Sequence, residues 1–327
     1  MGAPASPGDR REFLLRVLRL GAAGAATTGV GTWLHARSAR PQEAEPAVLS
    51  RHLGVPPDPA LPEIVVAQGE RPAELVRRAV IELGGMRRFV SRQDIVVLKP
   101  NIAWDRAPEM AATTNPDVVA ELVRLCLDAG AKRVIVTDVS CHDARSTFSR
   151  SGIAEAARRV GAEVLLPEPR FFRRVDLRGE TLGVWPVLVP FLEADKVINV
   201  PIAKHHSLTG VTLGLKNWYG LVGGDRNRLH QRIHESIADL ASFLRPTLTV
   251  LDGYRILARN GPTGGSTADV EFKKTVLAGT DPVAIDAWAA KAWWDLDPRR
   301  LRFLREVEGR GLGRADFASV RSRIVSL

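Results

Sequence analysis

Residues 195–220 hold the densest group of polar side chains in the sequence, and their types suit the binding of a small anion. Lysine supplies positive charge to a carboxylate or a phosphate, while hydroxyl, amide and main-chain N–H groups supply direction. Gly210, Gly214 and Gly220 let the backbone approach a ligand closely. A solvated basic loop is the competing interpretation. The polar side chains concerned are Lys204, His205, His206, Thr209, Thr212, Lys216 and Asn217.

Acidic and basic side chains also follow apolar runs at five places along the chain. In open α/β sheets, ligands bind in the crevice outside the carboxyl ends of the strands. We therefore expect these side chains to meet at one edge of a sheet, although Asp281 has the alternative role of capping the next helix. The five residues are Lys99, Asp138, Lys204, Asp252 and Asp281.

Short runs rich in valine and isoleucine alternate with helical patterns through the body of the chain. This alternation predicts an α/β fold with a mainly parallel, doubly wound sheet and helices on both faces. Asn115 with Pro116 predicts one helix start, and Asp281 with Pro282 another, while Gly130 predicts a helix end. The predicted strands are residues 64–67, 95–99, 133–137, 163–166, 196–200, 248–251 and 274–278. The predicted helices are residues 72–84, 116–129, 151–160, 232–244 and 282–294.

Two groups of residues are candidates for a divalent metal site. His230 and His234 are four residues apart and would share one face of a helix, a spacing at which imidazoles bind metals. No third ligand is adjacent, so a hydrogen-bonded pair at a helix start is the competing interpretation. His230 is the better candidate, because it follows a glycine-rich turn. Asp138 and Asp252 would supply oxygen ligands, which gives Asp138, Asp252 and His230 as the predicted metal set.

Three further segments contain groups with reactive or ligand-binding chemistry. Asp286 lies in an almost wholly apolar helical pattern, so its carboxylate needs a buried partner or a place in the crevice. Cys141 and His142 resemble a nucleophile and its base, but adjacent residues seldom face one another. The segment 259–269 is interpreted as a lid, an anion-binding nest or a plain connector, and it matches neither the P-loop nor the dinucleotide fingerprint.

The composition is that of a globular protein and argues against nucleic acid as a partner. Of 327 residues, 45% are hydrophobic and 25% charged, and the net charge is +9. Six arginines against two acids place +4 of that charge in residues 1–40, and no basic block interleaved with aromatic residues follows. Cys126 and Cys141 cannot supply the four ligands of an ordinary iron–sulfur cluster, so we expect none bound by the chain's own cysteines.

The N-terminal residues show a pattern typical of a twin-arginine export signal. The arginine pair 10–11 precedes Phe13, and a mild apolar region rich in glycine, alanine and threonine follows. We expect residues 1–38 to form the signal peptide, the export machinery to be a partner, and the protein to be periplasmic or otherwise extracytoplasmic. Membrane contact would come through this segment alone, as an anchor where it stays uncleaved. We expect residues 39–62 to form a proline-rich linker and 63–327 a single α/β domain.

Several short motifs recur together between residues 95 and 290. They are Lys99-Pro100-Asn101, Asn199-Val200-Pro201 with Lys204-His205, residues 209–217, His234-Glu235, Asp252-Gly253, Gly261-Pro262 with Gly264, and residues 280–286. In combination they resemble the family called domain of unknown function 362. The resemblance implies a single α/β domain and no assigned activity. Many members carry a ferredoxin-like cysteine module, whose cysteines are absent from these 327 residues, so the resemblance does not imply electron transfer here.

The leading hypothesis is an exported enzyme that acts on a small anionic substrate, carrying a carboxylate or a phosphate, at the strand ends. Lys204 and Lys216 would hold the charge and His205 would move a proton, so Lys204 and His205 are the predicted catalytic residues. A second hypothesis is a ligand- or cofactor-binding protein without turnover, and a third is a redox accessory to an iron–sulfur partner. The predicted substrate-binding residues are Lys99, Asn101, Thr209, Thr212, Lys216 and Asn217.

Overall fold

The computed structural model describes residues 47–48 and 51–327, and the predicted signal peptide lies outside them. The strands are β1 (Ala47–Val48), β2 (Arg51–His52), β3 (Ile64–Gln68), β4 (Ile95–Pro100), β5 (Arg133–Val136), β6 (Glu163–Val164), β7 (Phe172–Asp176), β8 (Val184–Leu188), β9 (Lys196–Val200), β10 (Ile202–His206), β11 (Gly210–Thr212), β12 (Leu244–Arg245), β13 (Leu248–Leu257), β14 (Val270–Gly279) and β15 (Ser322–Ser326). The helices are α1 (Pro72–Glu82), α2 (Pro116–Ala129), α3 (Ala144–Arg150), α4 (Ile153–Arg159), α5 (Val189–Glu193), α6 (Ile233–Phe243), α7 (Pro282–Trp294) and α8 (Arg302–Gly309). None of the helices in this described part combines the length and the apolarity that crossing a membrane requires.

One large sheet dominates the fold, and most of its strands run parallel. Their order is β15-β3-β14-β13-β9-β4-β5-β6, with β10 joined to β13 and β11 to β10. Strand β14 is antiparallel to both of its neighbours, and β11 is antiparallel to β10. All seven predicted strands lie in this sheet, because their buried valine and isoleucine runs suit strands that are covered on both faces. The predicted mainly parallel α/β class is confirmed.

Helices cover both faces of this sheet, as the predicted doubly wound fold requires. In β4, Val96 and Leu98 lie in the core formed with α1, α2 and α4, whereas Val97 lies in the core formed with α6, α7 and α8. Successive side chains separate in this way because they point to opposite faces of a strand. The sheet therefore has two apolar layers, and polar side chains collect at its edges.

The predicted capping residues set the ends of two helices. Asn115 Oδ1 accepts the N–H of Asp117 at 3.0 Å and begins α2, and Asp281 Oδ1 accepts the N–H of Ala284 at 2.9 Å and begins α7. Gly130 ends α2 with a φ of 103°, a conformation that glycine adopts without strain. All five predicted helices are present in the structure.

Asp281 does not share the edge of the sheet at which the parallel strands end. Because β14 is antiparallel to β13, its last residue, Gly279, pairs with Thr249 near the start of β13. Asp281 therefore lies at the opposite edge, where it caps α7 and also accepts the N–H of Arg314 at 3.1 Å. The prediction that five strand ends converge was wrong for this residue, since it presumed that β14 runs parallel to the others.

The described part of the predicted linker pairs with the body. Strand β1 pairs in parallel with β7, and β2 pairs in parallel with β12. Sequence reasoning also missed the β7–β8 hairpin and the strand β15, which pairs with β3. Short edge strands carry little hydrophobic signal, and in β15 the side chain of Ile324 is exposed.

A second hairpin projects side chains over the carboxyl ends of the parallel strands. At Pro201 the chain leaves β9, which pairs with the first half of β13, and continues as β10 beside the second half. A turn then leads into β11 and places Lys204 opposite Thr212. The chain next forms a 3₁₀ helix (Lys216–Leu221). This path brings the polar segment of the sequence back over the sheet edge.

Asp286 holds the start of that 3₁₀ helix from the neighbouring helix α7. Its fully buried carboxylate accepts the N–H of Gly214 at 2.8 Å and the N–H of Leu215 at 2.9 Å. Burial raises the pKa of Asp286 to about 7, and the two N–H groups oppose that rise. Backbone groups therefore satisfy this carboxylate, which was one of the alternatives that the sequence left open.

We expect Asp286→Ala to lower the free energy of unfolding by about 2–4 kcal/mol, because two buried N–H groups lose their acceptor. Urea denaturation measures this change, and amide hydrogen exchange at Gly214 and Leu215 should become faster. Asp128→Ala, on an exposed position of α2, is the matched control and should change the free energy by less than about 0.5 kcal/mol. Equal stability of the two variants would contradict the anchoring role.

Candidate functional site

A cavity of about 620 Å³ opens at the carboxyl ends of β4, β5 and β9. This volume lies in the range of small-molecule binding pockets. Strands β10 and β11, the 3₁₀ helix and the segment 224–230 complete its wall. Its polar and aromatic lining consists of Asn101, Trp104, Asp138, Cys141, Lys204, His206, Thr212, Lys216, Asn217, Tyr219, Asp225, Arg226, Asn227 and His230.

Most of the predicted site residues meet in this cavity, although four do not line it. Residues from two strand ends, one hairpin and two 3₁₀ segments converge, as expected for an open α/β sheet. The predicted residues that line the cavity are Asn101, Asp138, Lys204, Thr212, Lys216, Asn217 and His230. Those outside the lining are Lys99, His205, Thr209 and Asp252.

Of the two adjacent histidines of β10, His206 faces the cavity, whereas the predicted catalytic residue His205 does not face it. Successive side chains of β10 point to opposite faces, so His206 shares the face of Lys204 and His205 lies on the other side. Thr209 is likewise turned away, because its hydroxyl donates to Val211 O at 2.8 Å within the hairpin. The proton-transfer role predicted for His205 therefore has no geometric basis at this cavity.

Lys99 and Asp138 form a buried ion pair at the base of the site. Lys99 Nζ lies 2.6 Å from Asp138 Oδ1, and both side chains are almost fully buried. Asp138 Oδ2 also accepts the N–H of Ile102 at 2.6 Å. Gly220 packs directly against this pair, and a Cβ there would collide with the carboxylate. Lys99 thus balances the charge of Asp138 behind the cavity wall.

A chain of hydrogen-bonded asparagine side chains connects the strands to Lys204. Asn199 Nδ2 donates to Gly214 O at 2.9 Å, and Asn217 Nδ2 donates to Asn199 Oδ1 at 2.9 Å. Asn101 Nδ2 in turn donates to Asn217 Oδ1 at 2.9 Å. The Oδ1 of Asn101 then accepts Lys204 Nζ at 3.0 Å. The network holds Lys204 in one position relative to β4, β9 and the 3₁₀ helix.

Lys204 and Lys216 are buried without a carboxylate partner among the described residues. Lys204 Nζ donates to Asn101 Oδ1 and, at 2.8 Å, to Ala112 O. Lys216 Nζ lies 4.5 Å from the centroid of the Tyr219 ring. Burial lowers the pKa of Lys204 to about 7 and that of Lys216 to about 8. Two ammonium groups thus face the cavity with little internal charge compensation.

Aromatic and imidazole rings form one wall of the cavity. The rings of His206 and His230 stack with centroids 6.4 Å apart, and the edge of Tyr219 meets His230 at 5.4 Å. Burial, reinforced by the charge of Lys216, lowers the pKa of His206 to about 3, so this imidazole is neutral near pH 7. The pKa of His230 is also lowered, first by burial. In the neutral His206 ring, Nδ1 accepts the N–H of Leu208 at 3.1 Å, so Nε2 carries the proton and is a hydrogen-bond donor.

The predicted metal ligands Asp138, Asp252 and His230 do not form one site. Asp252 lies within β13, where its carboxylate accepts the N–H of Asn115 at 2.8 Å and the N–H of Tyr254 at 3.0 Å. In the part of the chain that the structure describes, no group of three or more His, Cys, Asp or Glu side chains is placed to hold a metal ion. The carboxylates are occupied by backbone N–H groups and by Lys99, which sequence reasoning could not foresee.

Several residues of the cavity were left out of the predicted site set. His206 was named in the polar segment 195–220 without a role, and its position two residues from Lys204 on one strand was the available signal. Cys141 follows the end of β5, and Arg226 Nη2 approaches its Sγ to 3.5 Å. Its neighbour His142 turns away and accepts the N–H of Asp105 at 3.2 Å, so the two do not form a nucleophile and base. Tyr219 and Arg226 carried no local signal. Both cysteines of the chain are free.

Comparison with known proteins places the chain in a family and gives two similar proteins. It is 28% identical over 244 residues to the thylakoid-associated protein sll1697 of Synechocystis sp., which covers 68% of this chain and 74% of that protein. The lactate racemase apoprotein of Thermoanaerobacterium thermosaccharolyticum has a TM-score of 0.38 and 12% identity. That match covers 66% of this chain and about half, 54%, of the racemase chain. The family model described as "Domain of unknown function (DUF362)" matches residues 96–291, more than half of the chain, and the protein therefore belongs to this family.

Proposed function

We propose that this protein binds a small molecule with a carboxylate or phosphate group in the cavity and acts on it as an enzyme. The burial of Lys204 and Lys216 without a carboxylate partner carries this proposal. Moving an ammonium group out of water costs several kcal/mol unless an opposite charge compensates it. A bound anion would supply that charge to both lysines.

The rest of the lining supports an anion over a cation. Arg226 adds a third positive group. Of the two lining carboxylates, Asp138 is already balanced by Lys99, and Asp225 lies at an exposed position. The hydroxyl of Thr212 is buried without a hydrogen-bond partner among the described residues. It is available to an anionic oxygen together with the lysines. Charge and directional donors therefore lie on one wall, as an anion site requires.

His206, and not the predicted His205, is the histidine of β10 that contacts the substrate in this proposal. It lines the cavity on the same face of β10 as Lys204, and its imidazole is neutral. Its Nδ1 accepts the N–H of Leu208 at 3.1 Å, so Nε2 carries the proton and would donate a hydrogen bond that polarises a substrate oxygen. Binding without turnover, by a ligand- or cofactor-binding protein, would use the same lysines and the same donor, and conversion of the ligand distinguishes the two.

We expect Lys216→Met to weaken binding of an anionic ligand by about tenfold to a hundredfold, since one charged hydrogen bond is lost. Isothermal calorimetry and thermal-shift assays with phosphorylated and with carboxylated metabolites measure this, and the two compound sets distinguish phosphate from carboxylate. Lys132→Met, at an exposed position, is the control and should bind as the wild type does. Equal binding by both variants, or binding of neither compound set to the wild type, would contradict the proposal.

The same variant should be more stable than the wild type when no ligand is present. The folded state lowers the pKa of Lys216, so burying its ammonium opposes folding at every pH below about 8. This penalty disappears as the pH rises from about 8 toward the ordinary lysine value of about 10.4. The stability gained by Lys216→Met should therefore be largest at and below neutral pH and should shrink above pH 8.

We propose that the chain is exported by the twin-arginine route, which the pair Arg10 and Arg11 before Phe13 supports. Replacing both arginines by lysine keeps the charge but removes the guanidinium groups of the signature. We expect this full-length double variant to remain in the cytoplasmic fraction of a bacterium that has the pathway. The control variant replaces Arg16 and Arg19 by lysine and should be exported as the wild type is. An unaltered distribution of the first variant would refute the assignment.

A further inference from the structure

We propose that Lys204 is a nucleophilic lysine that forms an imine with a carbonyl group of the ligand. This inference rests on the proposed function, because the ligand must first be an anion held in the cavity. It names the substrate class as a small aldehyde or ketone that also carries a carboxylate or a phosphate. It also gives Lys204 a role in bond formation that differs from holding charge.

The hydrogen bonds of Lys204 arrange its nitrogen for attack. Nζ donates to Asn101 Oδ1 at 3.0 Å and to Ala112 O at 2.8 Å. A neutral amine has two N–H groups, so both donors are used and the lone pair takes a remaining tetrahedral position. Because the side chain lines the cavity, that position is open to the carbonyl carbon of a bound ligand.

No carboxylate among the described residues forms an ion pair with Lys204 that would stabilise its ammonium form. Lys99 differs, because its Nζ lies 2.6 Å from Asp138 Oδ1. Burial lowers the pKa of Lys204 to about 7; negative charge at Cys141 and Asp138 opposes this shift, and the positive charges of Lys216 and Lys99 reinforce it. A substantial fraction of the Lys204 amine is therefore neutral near pH 7. Desolvation beside a second cation is an arrangement that activates lysine for imine chemistry.

The neighbours of Lys204 supply the contacts that such a ligand needs. Lys216 lines the same cavity and would hold the carboxylate or phosphate. Thr212 lies opposite Lys204 in the β10–β11 pairing, and its buried hydroxyl has no hydrogen-bond partner among the described residues. That hydroxyl would orient the ligand oxygen. The anionic group and the carbonyl group of the ligand would thus contact different residues, and the carbonyl carbon would lie at Lys204.

The reaction needs no oxidant or reductant. The Lys204 amine attacks the carbonyl carbon, the nitrogen loses one proton and the carbonyl oxygen gains one, which gives a carbinolamine. The C–O bond then breaks, the oxygen leaves as water with a second proton that the nitrogen gives up, and a neutral C=N bond remains. Water would carry these protons between nitrogen and oxygen, while the Nε2–H of His206, on the same face of β10, would donate a hydrogen bond to the carbonyl oxygen.

Reductive trapping tests this inference on the full chain. Glyoxylate is the carboxylate probe and glycolaldehyde phosphate the phosphate probe, each incubated with the protein and then reduced with sodium borohydride. Intact mass and peptide mapping should find one adduct per chain on Lys204, at least about tenfold more abundant than on the exposed Lys132 at pH 7.5, because much more of the buried amine is neutral. Inorganic phosphate should protect Lys204 from labelling in the wild-type protein.

A Lys204 variant and ligand analogues without a carbonyl group distinguish imine formation from the anion binding on which it rests. Lys204→Arg should form no adduct at this position. Glycolate and 2-hydroxyethyl phosphate, which lack a carbonyl group, should bind to the wild-type protein without forming an adduct. In the wild type, binding of these analogues without a Lys204 adduct from either probe would overturn the imine and leave the anion site standing. Labelling of Lys204 no faster than Lys132 would also overturn it. Absence of both binding and adduct would overturn both proposals.

Discussion

The burial of three lysine ammonium groups at one edge of the sheet is the constraint around which this site is arranged. Lys99 has a counter-ion in Asp138, at 2.6 Å, and the pair is shielded from water. Lys204 and Lys216 are buried beside it without a carboxylate of their own among the described residues. Since isolated buried charges are unfavourable, this asymmetry lowers the pKa values of both lysines and supports the proposed anion site.

The surrounding fold maintains this unfavourable arrangement. The amide chain through Asn199, Asn217 and Asn101 ends on Lys204, and the carboxylate of Asp286 holds the backbone that leads into the 3₁₀ helix of Lys216. The amide network fixes Lys204, and Asp286 positions the backbone that leads to Lys216, so neither lysine is held by an ion pair among the described residues. Such pre-organisation suits a division of roles, in which one lysine holds the anionic group of a ligand and the other reacts with its carbonyl carbon.

The elements of the fold were predictable because their signals are local. Buried valine runs and capping residues such as Asn115 specify strands and helix ends within a few positions. The errors came from properties that depend on distant pairing. The direction of β14 moved Asp281 to the opposite edge, and the pairing of β10 decided that His206 faces the cavity while His205 does not. Asp252 was unavailable to a metal because the backbone N–H groups of Asn115 and Tyr254 occupy its carboxylate, and the sequence gives no signal of these contacts.

Titration of the lysine side chains by NMR, in protein labelled with carbon-13 at lysine Cε, tests the central claim most directly. The resonances of Lys204 and Lys216 should titrate near pH 7 and pH 8 in the free protein. Both midpoints should move to higher pH when an anionic ligand saturates the cavity, because the anion stabilises the ammonium form. Titration of both lysines near the ordinary value of about 10.4, or midpoints that a bound anion leaves unchanged, would contradict the account.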